Sequence, residues 1–285
     1  MTDAPNAAQI DYWNAVAGEV WSKFQPDLDR QIEPLGLEAI RRLDPRPGEH
    51  VLDIGCGCGQ TTMTLAQRVG ATGAVVGADI SRPMLEVARA RPLPAGAATP
   101  QFREADAQSA DLTAADLGAA SFDAAFSRFG VMFFADPTAA FANIRAALKP
   151  SGRLGFVCWR PFDQNPWMAV PMAAAQPYLD PTPPPDPTAP GPFAFADAGR
   201  LRGILEAAGF KSIAIDPYDA DIGGGDIEQT VSLTFRVGPL GRALLDHRDR
   251  VPVVAEAVRK AIEPYATPDG VFMPSAVWMV QARAN

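Results

Sequence analysis

The chain is predicted to fold as a doubly wound α/β protein, an open and mostly parallel sheet with helices on both faces. Three observations predict it. Val51-Leu52-Asp53-Ile54 is a short apolar run that falls through Gly55, Gly57 and Gly59 into a helical pattern beginning at Gln60. Glycines placed there leave bare backbone at the carboxyl edge of a parallel strand, where open α/β folds bind nucleotide-like ligands. Strand-like and helix-like segments then alternate to about residue 160. The next apolar run, Ala74 to Asp79, ends on an acid twenty residues beyond Gly59, where a sugar-binding carboxylate belongs in a βαβ unit.

The elements follow in order. Residues 11–24 read as an amphipathic helix, with Trp13, Val16, Val20 and Phe24 at helical spacing. A second helix runs from about Leu35 to Leu43 and ends near Pro45 and Pro47. Both precede the first strand, so residues 1–47 are expected to form a helical cap. Gly48 opens that strand, and Leu65, Ala66 and Val69 mark the helix after the glycines. Ser81 is expected to cap the helix carrying Met84, Leu85 and Val87, with Pro83 tolerated in its first turn. Asp136-Pro137 starts another, with Phe141, Ile144 and Leu148 along one side. Arg153 to Trp159 reads as a strand that closes a core of residues 48–160. Leu201, Ile204, Leu205 and Ala208 mark a helix that Gly209 terminates. Lys211 to Ile215 and Ala276 to Gln281 read as the last two strands, so residues 197–285 complete the core.

Two inserts interrupt this plan. Residues 161–196 are proline-dense, with Pro181, Pro183, Pro184, Pro185, Pro187 and Pro190. An extended linker and a lid over the ligand edge both suit such a composition. The bulky groups of Asn165-Pro166-Trp167-Met168 favour the lid. A second insert, about 220–269, reads as mostly helical around Leu240 to Leu245 and Val251 to Ile262.

Bulk properties narrow the function. The 285 residues are 47% hydrophobic and 20% charged, ordinary for a globular protein. A net charge of −8 argues against phosphate-backbone binding, so no nucleic-acid partner is expected. No apolar run is long enough to span a bilayer, and Met1-Thr2-Asp3-Ala4-Pro5 lacks a secretory pattern, so the cytoplasm is the expected location. Three cysteines give no disulfide framework. Cys56 and Cys58 occupy the variable positions of the glycine loop, and with only His50 and His247 elsewhere no metal site is expected.

The acid before the glycines selects the ligand. Asp53 repels a pyrophosphate and suits a cation, and Gln60 stands where the dinucleotide pattern needs its last glycine. These two residues weaken the alternative of an NAD(P)-dependent oxidoreductase. The loop suits a nucleoside with a positive tail.

On those residues the chain resembles the class I S-adenosylmethionine (SAM)-dependent methyltransferases. VLDIGCGCG resembles their first motif, and Ala74 to Ser81 their second strand with its ribose acid. Phe102 to Ala107 looks like their third strand, Phe122 to Phe129 their fourth, and Leu148 to Leu154 the turn into their fifth. The match covers roughly residues 45 to 160 and is nearest to methyltransferases of quinone biosynthesis and natural products. It implies a seven-stranded, mostly parallel, Rossmann-like sheet, SAM as cofactor and S-adenosylhomocysteine (SAH) as product. It also implies roles. Gly55, Gly57 and Gly59 let the backbone approach the ligand, and Asp53 attracts the ammonium group, with the Ser127 carbonyl. Asp79 accepts from the ribose hydroxyls. Ile80 and Met84 sandwich the adenine, whose edge meets Asp106 and the Ala107 amide. Phe129 faces donor or acceptor, and Trp13 and Trp21 fold over SAM from the cap. Plainer readings stay open beside these: Asp79 as a helix-terminal charge, Met84 as core, Asp106 as a turn former, and Tyr12, Trp13 and Trp21 as cap packing.

The acceptor is less legible. The resemblance implies a small, hydrophobic or aromatic molecule methylated at oxygen, carbon or nitrogen. Ser127-Arg128-Phe129 stands where amino-group methyltransferases carry asparagine-proline, which counts against amide substrates. His247 is the titratable candidate for a base, although the charge-rich run from Asp246 to Arg250 also suits a solvated helix end. A SAM-binding regulator without catalysis is a further alternative. The oligomeric state is not indicated.

Overall fold

The computed structural model describes residues 6–112, 122–181, 186–244 and 247–284. Pro183, Pro184, Pro185, Leu245, Asp246 and the first five residues lie outside these. Three helices come first: α1 (Ala7–Asn14), α2 (Val16–Lys23) and α3 (Gln25–Leu43). The alternating part follows as β1 (His50–Ile54), α4 (Gln60–Val69), β2 (Ala74–Asp79), α5 (Arg82–Ala90), β3 (Gln101–Glu104), β4 (Phe122–Arg128), α6 (Pro137–Ala147) and β5 (Leu148–Trp159). The remainder comprises α7 (Pro166–Ala175), α8 (Ala198–Ala207), β6 (Lys211–Gly225), α9 (Ile227–Thr234), α10 (Gly238–Ala243), α11 (Val251–Ile262), β7 (Ala266–Thr267) and β8 (Gly270–Arg283).

Among the described residues the strands form one sheet in the order β3-β2-β1-β4-β5-β8-β6, with the short β7 paired to β8. Strands β1 to β5 are parallel, and β8 runs antiparallel to both β5 and β6. The order reverses between β1 and β4, so a crevice opens there at the carboxyl ends of the strands. Central strands buried on both faces read as continuous apolar runs, as Val51, Leu52, Ala124, Ala125, Phe126 and Val157 do.

Local sequence signals hold for most helices. Asp136 caps α6 by accepting from the Ala139 N–H at 3.0 Å, and Asp197 caps α8 in the same way from Arg200 at 2.8 Å. At α5 a tertiary contact wins instead. Ser81 occupies the N-cap but its hydroxyl donates to the Trp13 carbonyl at 2.8 Å. The cap comes from Asn14, whose Oδ1 accepts from the Arg82 N–H at 3.0 Å while its Nδ2 donates to the Ile80 carbonyl. These contacts dock the cap on the β2–α5 turn. They coincide with the break at Ala15 that divides the single expected helix into α1 and α2.

The expected helix at Leu35 begins ten residues earlier, at Gln25, and α3 runs on through Pro34. Leu28, Ile32, Leu35, Ala39 and Leu43 keep one buried face along it, and that burial offsets the lost backbone donor.

Helix α7 of the first insert joins the helices of the second, while Met168, Ala194 and Phe195 pack into the main core. Ala175 of α7, Val231 of α9, Leu240 of α10, and Val254, Val258 and Ile262 of α11 share a second core with Val271 and Met273 of β8. Strand β6 extends through Gly225, pairing with β8, so the first residues of the expected second insert belong to the sheet. No helix among the described residues is long and apolar enough to cross a membrane.

Candidate functional site

A cavity of about 920 Å³ occupies the crevice between β1 and β4. Its floor is the glycine loop, with Asp79, Ile80, Met84, Asp106 and Ala107 at one end. Its other walls come from the cap, through Trp13, Trp21, Gln25 and Asp29, and from the inserts, through Trp167, Met168, Phe193, Thr230 and Leu233. Sheet and inserts therefore enclose one space.

The three glycines divide the work. Each has positive φ: +64° at Gly55, +52° at Gly57 and +81° at Gly59. A Cβ on Gly55 would lie 2.7 Å from the Gly130 Cα, so that glycine lets β1 pass the loop after β4. A Cβ on Gly59 would lie 2.9 Å from that of Ala88, so that one seats α4 against α5, and it does not line the cavity. A Cβ on Gly57 would meet only the Met84 sulfur, at 3.7 Å, and would otherwise project into the cavity. Gly57 leaves room for something other than protein.

Asp79 is buried and binds the loop. Its Oδ2 accepts from the Gly57 N–H and its Oδ1 from the Ser81 N–H, each at 2.8 Å. Burial raises its pKa, while those two N–H groups pull it down. The Ile80 N–H acts in the same sense, and the carboxylate lines the cavity.

Asp53 is fully buried beneath the loop and does not line the cavity. Its Oδ2 accepts from Thr61 at 2.8 Å and Thr62 at 2.6 Å, and its Oδ1 has no partner among the described residues. Burial pushes its carboxyl up to about 6, against the pull of the two hydroxyls and of Arg128. Cys56 and Cys58 are likewise raised by burial, Cys58 to about 11, so neither is a reactive thiol. Among the described residues no group of three or more His, Cys, Asp or Glu side chains is placed to hold a metal ion.

Asp106 opens a turn in which its Oδ1 accepts from the Gln108 N–H and the Asn6 Nδ2, and its Oδ2 from Ser109. Asn143 of α6 fixes that turn by donating to the carbonyls of Ala107 and Ala110. The turn thus presents a held carboxylate to the same end of the cavity as Asp79.

The opposite end is aromatic. Phe129 adopts a left-handed backbone (φ +62°), a strained state for a bulky residue, and its N–H donates to the Val157 carbonyl. That conformation stacks its ring on Trp159, 4.1 Å between centroids and 9° between planes. Trp167 leans on Trp159 there at 4.9 Å, whereas Trp13, whose carbonyl accepts from Ser81 beside Asp79, meets Trp21 and Phe133 edge to face on the cap side. The Trp167 Nε1 is a buried donor without a partner among the described residues.

The residues expected from sequence separate accordingly. Gly55, Gly57, Asp79, Ile80, Met84, Asp106, Ala107, Phe129, Trp13 and Trp21 line the cavity, whereas Asp53, Gly59 and Ser127 stand behind it. His247 does not line it either: its ring faces Asp180 at 3.8 Å beside Arg250. Sequence reasoning missed Asp29 and Arg128, which line the cavity from α3 and the end of β4. No local motif marks an ion pair between residues so far apart in the chain.

A doubly wound α/β protein with a glycine-floored cavity at its switch point, a held acid at each of two strand ends and an aromatic far end has the architecture that binds nucleotide-like ligands. The residues fit SAM: Gly57 is cleared for the ligand, and an unpaired carboxylate oxygen lies buried under the loop. The methyltransferase domain family matches residues 51–152. The chain is similar to nocamycin O-methyltransferase of Saccharothrix syringae, 30% identical over 80% of this chain and 83% of that one. It is also similar to the O-methyltransferase cnsE of Penicillium expansum, 32% identical over 76% and 71%. A solved phosphoethanolamine N-methyltransferase of Haemonchus contortus, in complex with SAM, shares the fold at a TM-score of 0.55 and 16% identity, covering 98% of this chain and 60% of that one. The protein belongs to the class I SAM-dependent methyltransferases, and SAM is its cofactor.

Proposed function

We propose that this methyltransferase acts on a small, flat aromatic acceptor and methylates it at oxygen. The observation that carries the reading is the aromatic end of the cavity, where Phe129 is held in a strained conformation parallel to Trp159 and beside Trp167. Such walls bind a planar apolar molecule by area and stacking, and they exclude water from the methyl path. The buried N–H of Trp167 supplies one polar contact, a donor to an acceptor oxygen. The O-methyltransferase names of the two relatives support the choice of oxygen.

When bound, SAM supplies an electrophilic methyl on a sulfonium with a neutral thioether as leaving group. In this reading Asp79 accepts from the ribose, Asp106 and the Ala107 amide meet the adenine edge, and Ile80 and Met84 flank its faces. Asp53 acts through the loop as a buried negative charge. The first insert closes the acceptor end with Trp167, Met168 and Phe193 as a lid. An acidic hydroxyl, such as a phenol conjugated to a carbonyl para to it, ionises without a dedicated base, so positioning is the main task of the protein.

The test is SAH release from SAM with a panel of hydroxylated aromatics, aromatic amines and sugars, the product identified by mass and NMR. O-methylation of the hydroxylated aromatics is expected, with Trp167→Phe raising KM several-fold. Preferential turnover of amines overturns the assignment of oxygen, and preferential turnover of sugars overturns the aromatic acceptor.

A further inference from the structure

Between the glycine loop, the end of β4 and α3 lies a buried cluster of charge. Arg128, Asp29 and Arg91 contribute side chains that are 12%, 13% and 20% exposed. Arg91 is the close partner of Asp29 and also donates to the Cys58 carbonyl in the glycine loop, and Gln25 donates to Asp29 as well. Arg128 has the looser share. Its guanidinium approaches Asp29 at 3.5 Å, against about 2.7–2.9 Å for a charge-assisted bond. Its hydrogen bond goes to the side-chain oxygen of Gln60, a neutral amide in the first turn of α4. Asp53 beneath the loop also attracts Arg128, so two carboxylates face the two guanidinium groups, and burial lowers the Arg128 pKa against their pull.

The fold makes room for this side chain. A Cβ at Gly36 in α3 would stand 2.9 Å from the Arg128 Cδ. A glycine inside a helix costs about 1 kcal/mol relative to alanine, and here it lets the arginine stem cross α3. Arg128 lines the cavity alongside Gly55 and Gly57, and the N-terminus of α4 adds a field that favours an anion at the same place. Ser127 and Asp53, the residues that sequence suggests for the methionine tail, do not line the cavity; Arg128 follows Ser127 directly and does.

We propose that Arg128 binds the carboxylate of the methionine tail of SAM. The inference rests on SAM being the methyl donor, and it makes a residue outside the glycine motif the anchor of the amino-acid end. The nucleoside end stays with Asp79 and Asp106, so the two ends of the ligand are separable by experiment.

Calorimetry with SAH and with decarboxylated SAH, which keeps the amine and lacks the carboxylate, tests it. The unaltered enzyme should bind SAH at least about tenfold more tightly than the decarboxylated ligand, the scale of one charged hydrogen-bonded contact. Arg128→Gln should abolish that preference while leaving the decarboxylated ligand within about twofold of its original affinity. Arg128→Lys, which keeps the charge and loses the fork, tests the same point should the first variant not fold: SAH should weaken several-fold and the decarboxylated ligand stay unchanged. Equal weakening of both ligands, or a preference that survives in both variants, overturns the proposal alone. Failure of the unaltered enzyme to bind SAH overturns the donor assignment and the proposal with it.

Discussion

Replacing Gly55 or Gly57 by alanine separates the packing task of the glycine loop from its ligand-binding task. Both positions have positive φ, +64° and +52°, so either alanine carries the left-handed penalty of roughly 1–2 kcal/mol. A gain of about 0.4–1 kcal/mol through the unfolded chain offsets part of it. At Gly57 little else is added, because the new methyl meets only the Met84 sulfur at 3.7 Å. At Gly55 the methyl falls 2.7 Å from the Gly130 Cα, and backbone must move. Overpacking of that kind costs a further 1–3 kcal/mol or so. It would also displace the loop that holds Phe129 in its strained conformation. Gly55→Ala is therefore expected to be less stable than Gly57→Ala by about 1–3 kcal/mol in urea denaturation. Relative to stability, Gly57→Ala should show the larger loss of SAH affinity by calorimetry, since its methyl enters the cavity. If Gly57→Ala proves the less stable of the two, or binds SAH as the parent does, the division of labour drawn from the loop geometry is wrong.

Further outcomes follow from the same site. Asp53 has an ordinary pKa of 3.8 that burial raises to about 6, so the folded state keeps a proton that the unfolded chain has lost between those values. Stability should fall across that window as pH rises, by roughly 3 kcal/mol from this residue. Asp53→Asn should remove the contribution, its stability gaining on the parent from pH 4 to 6; parallel pH profiles would refute the assignment. Asp79→Ala orphans the N–H groups of Gly57 and Ser81, so a stability loss of about 2–4 kcal/mol should accompany a fall in SAH affinity of roughly tenfold to a hundredfold. An unchanged urea midpoint would show that the loop does not depend on the carboxylate. His247→Ala should leave kcat/KM within about twofold, because the ring faces Asp180 rather than the cavity; a larger loss would bring the residue back as a base.

The glycine loop, the acid at Asp79 and the alternation from Val51 to Trp159 were legible because each depends on residues close together in the chain. Positive φ, apolar strand runs and helix periodicity are local features, and they restrict the residues allowed at each position. The class I family and its cofactor were visible because the motifs that carry those features resemble the family's own. Other features depend on chain segments meeting in three dimensions. The capping of α5 by Asn14, with Ser81 turned to the Trp13 carbonyl, depends on where the cap docks. The second core depends on α7 reaching α9, α10 and α11. The placement of Arg128 beside Asp29 depends on α3 crossing the end of β4, with a glycine at the crossing. Sequence by itself therefore determined the parallel part of the sheet and the glycine loop with its neighbouring acids. Tertiary structure decided which acids line the cavity, where Arg128 stands and which aromatic side chains wall the cavity, because burial and long-range charge pairing exist only once the chain has folded.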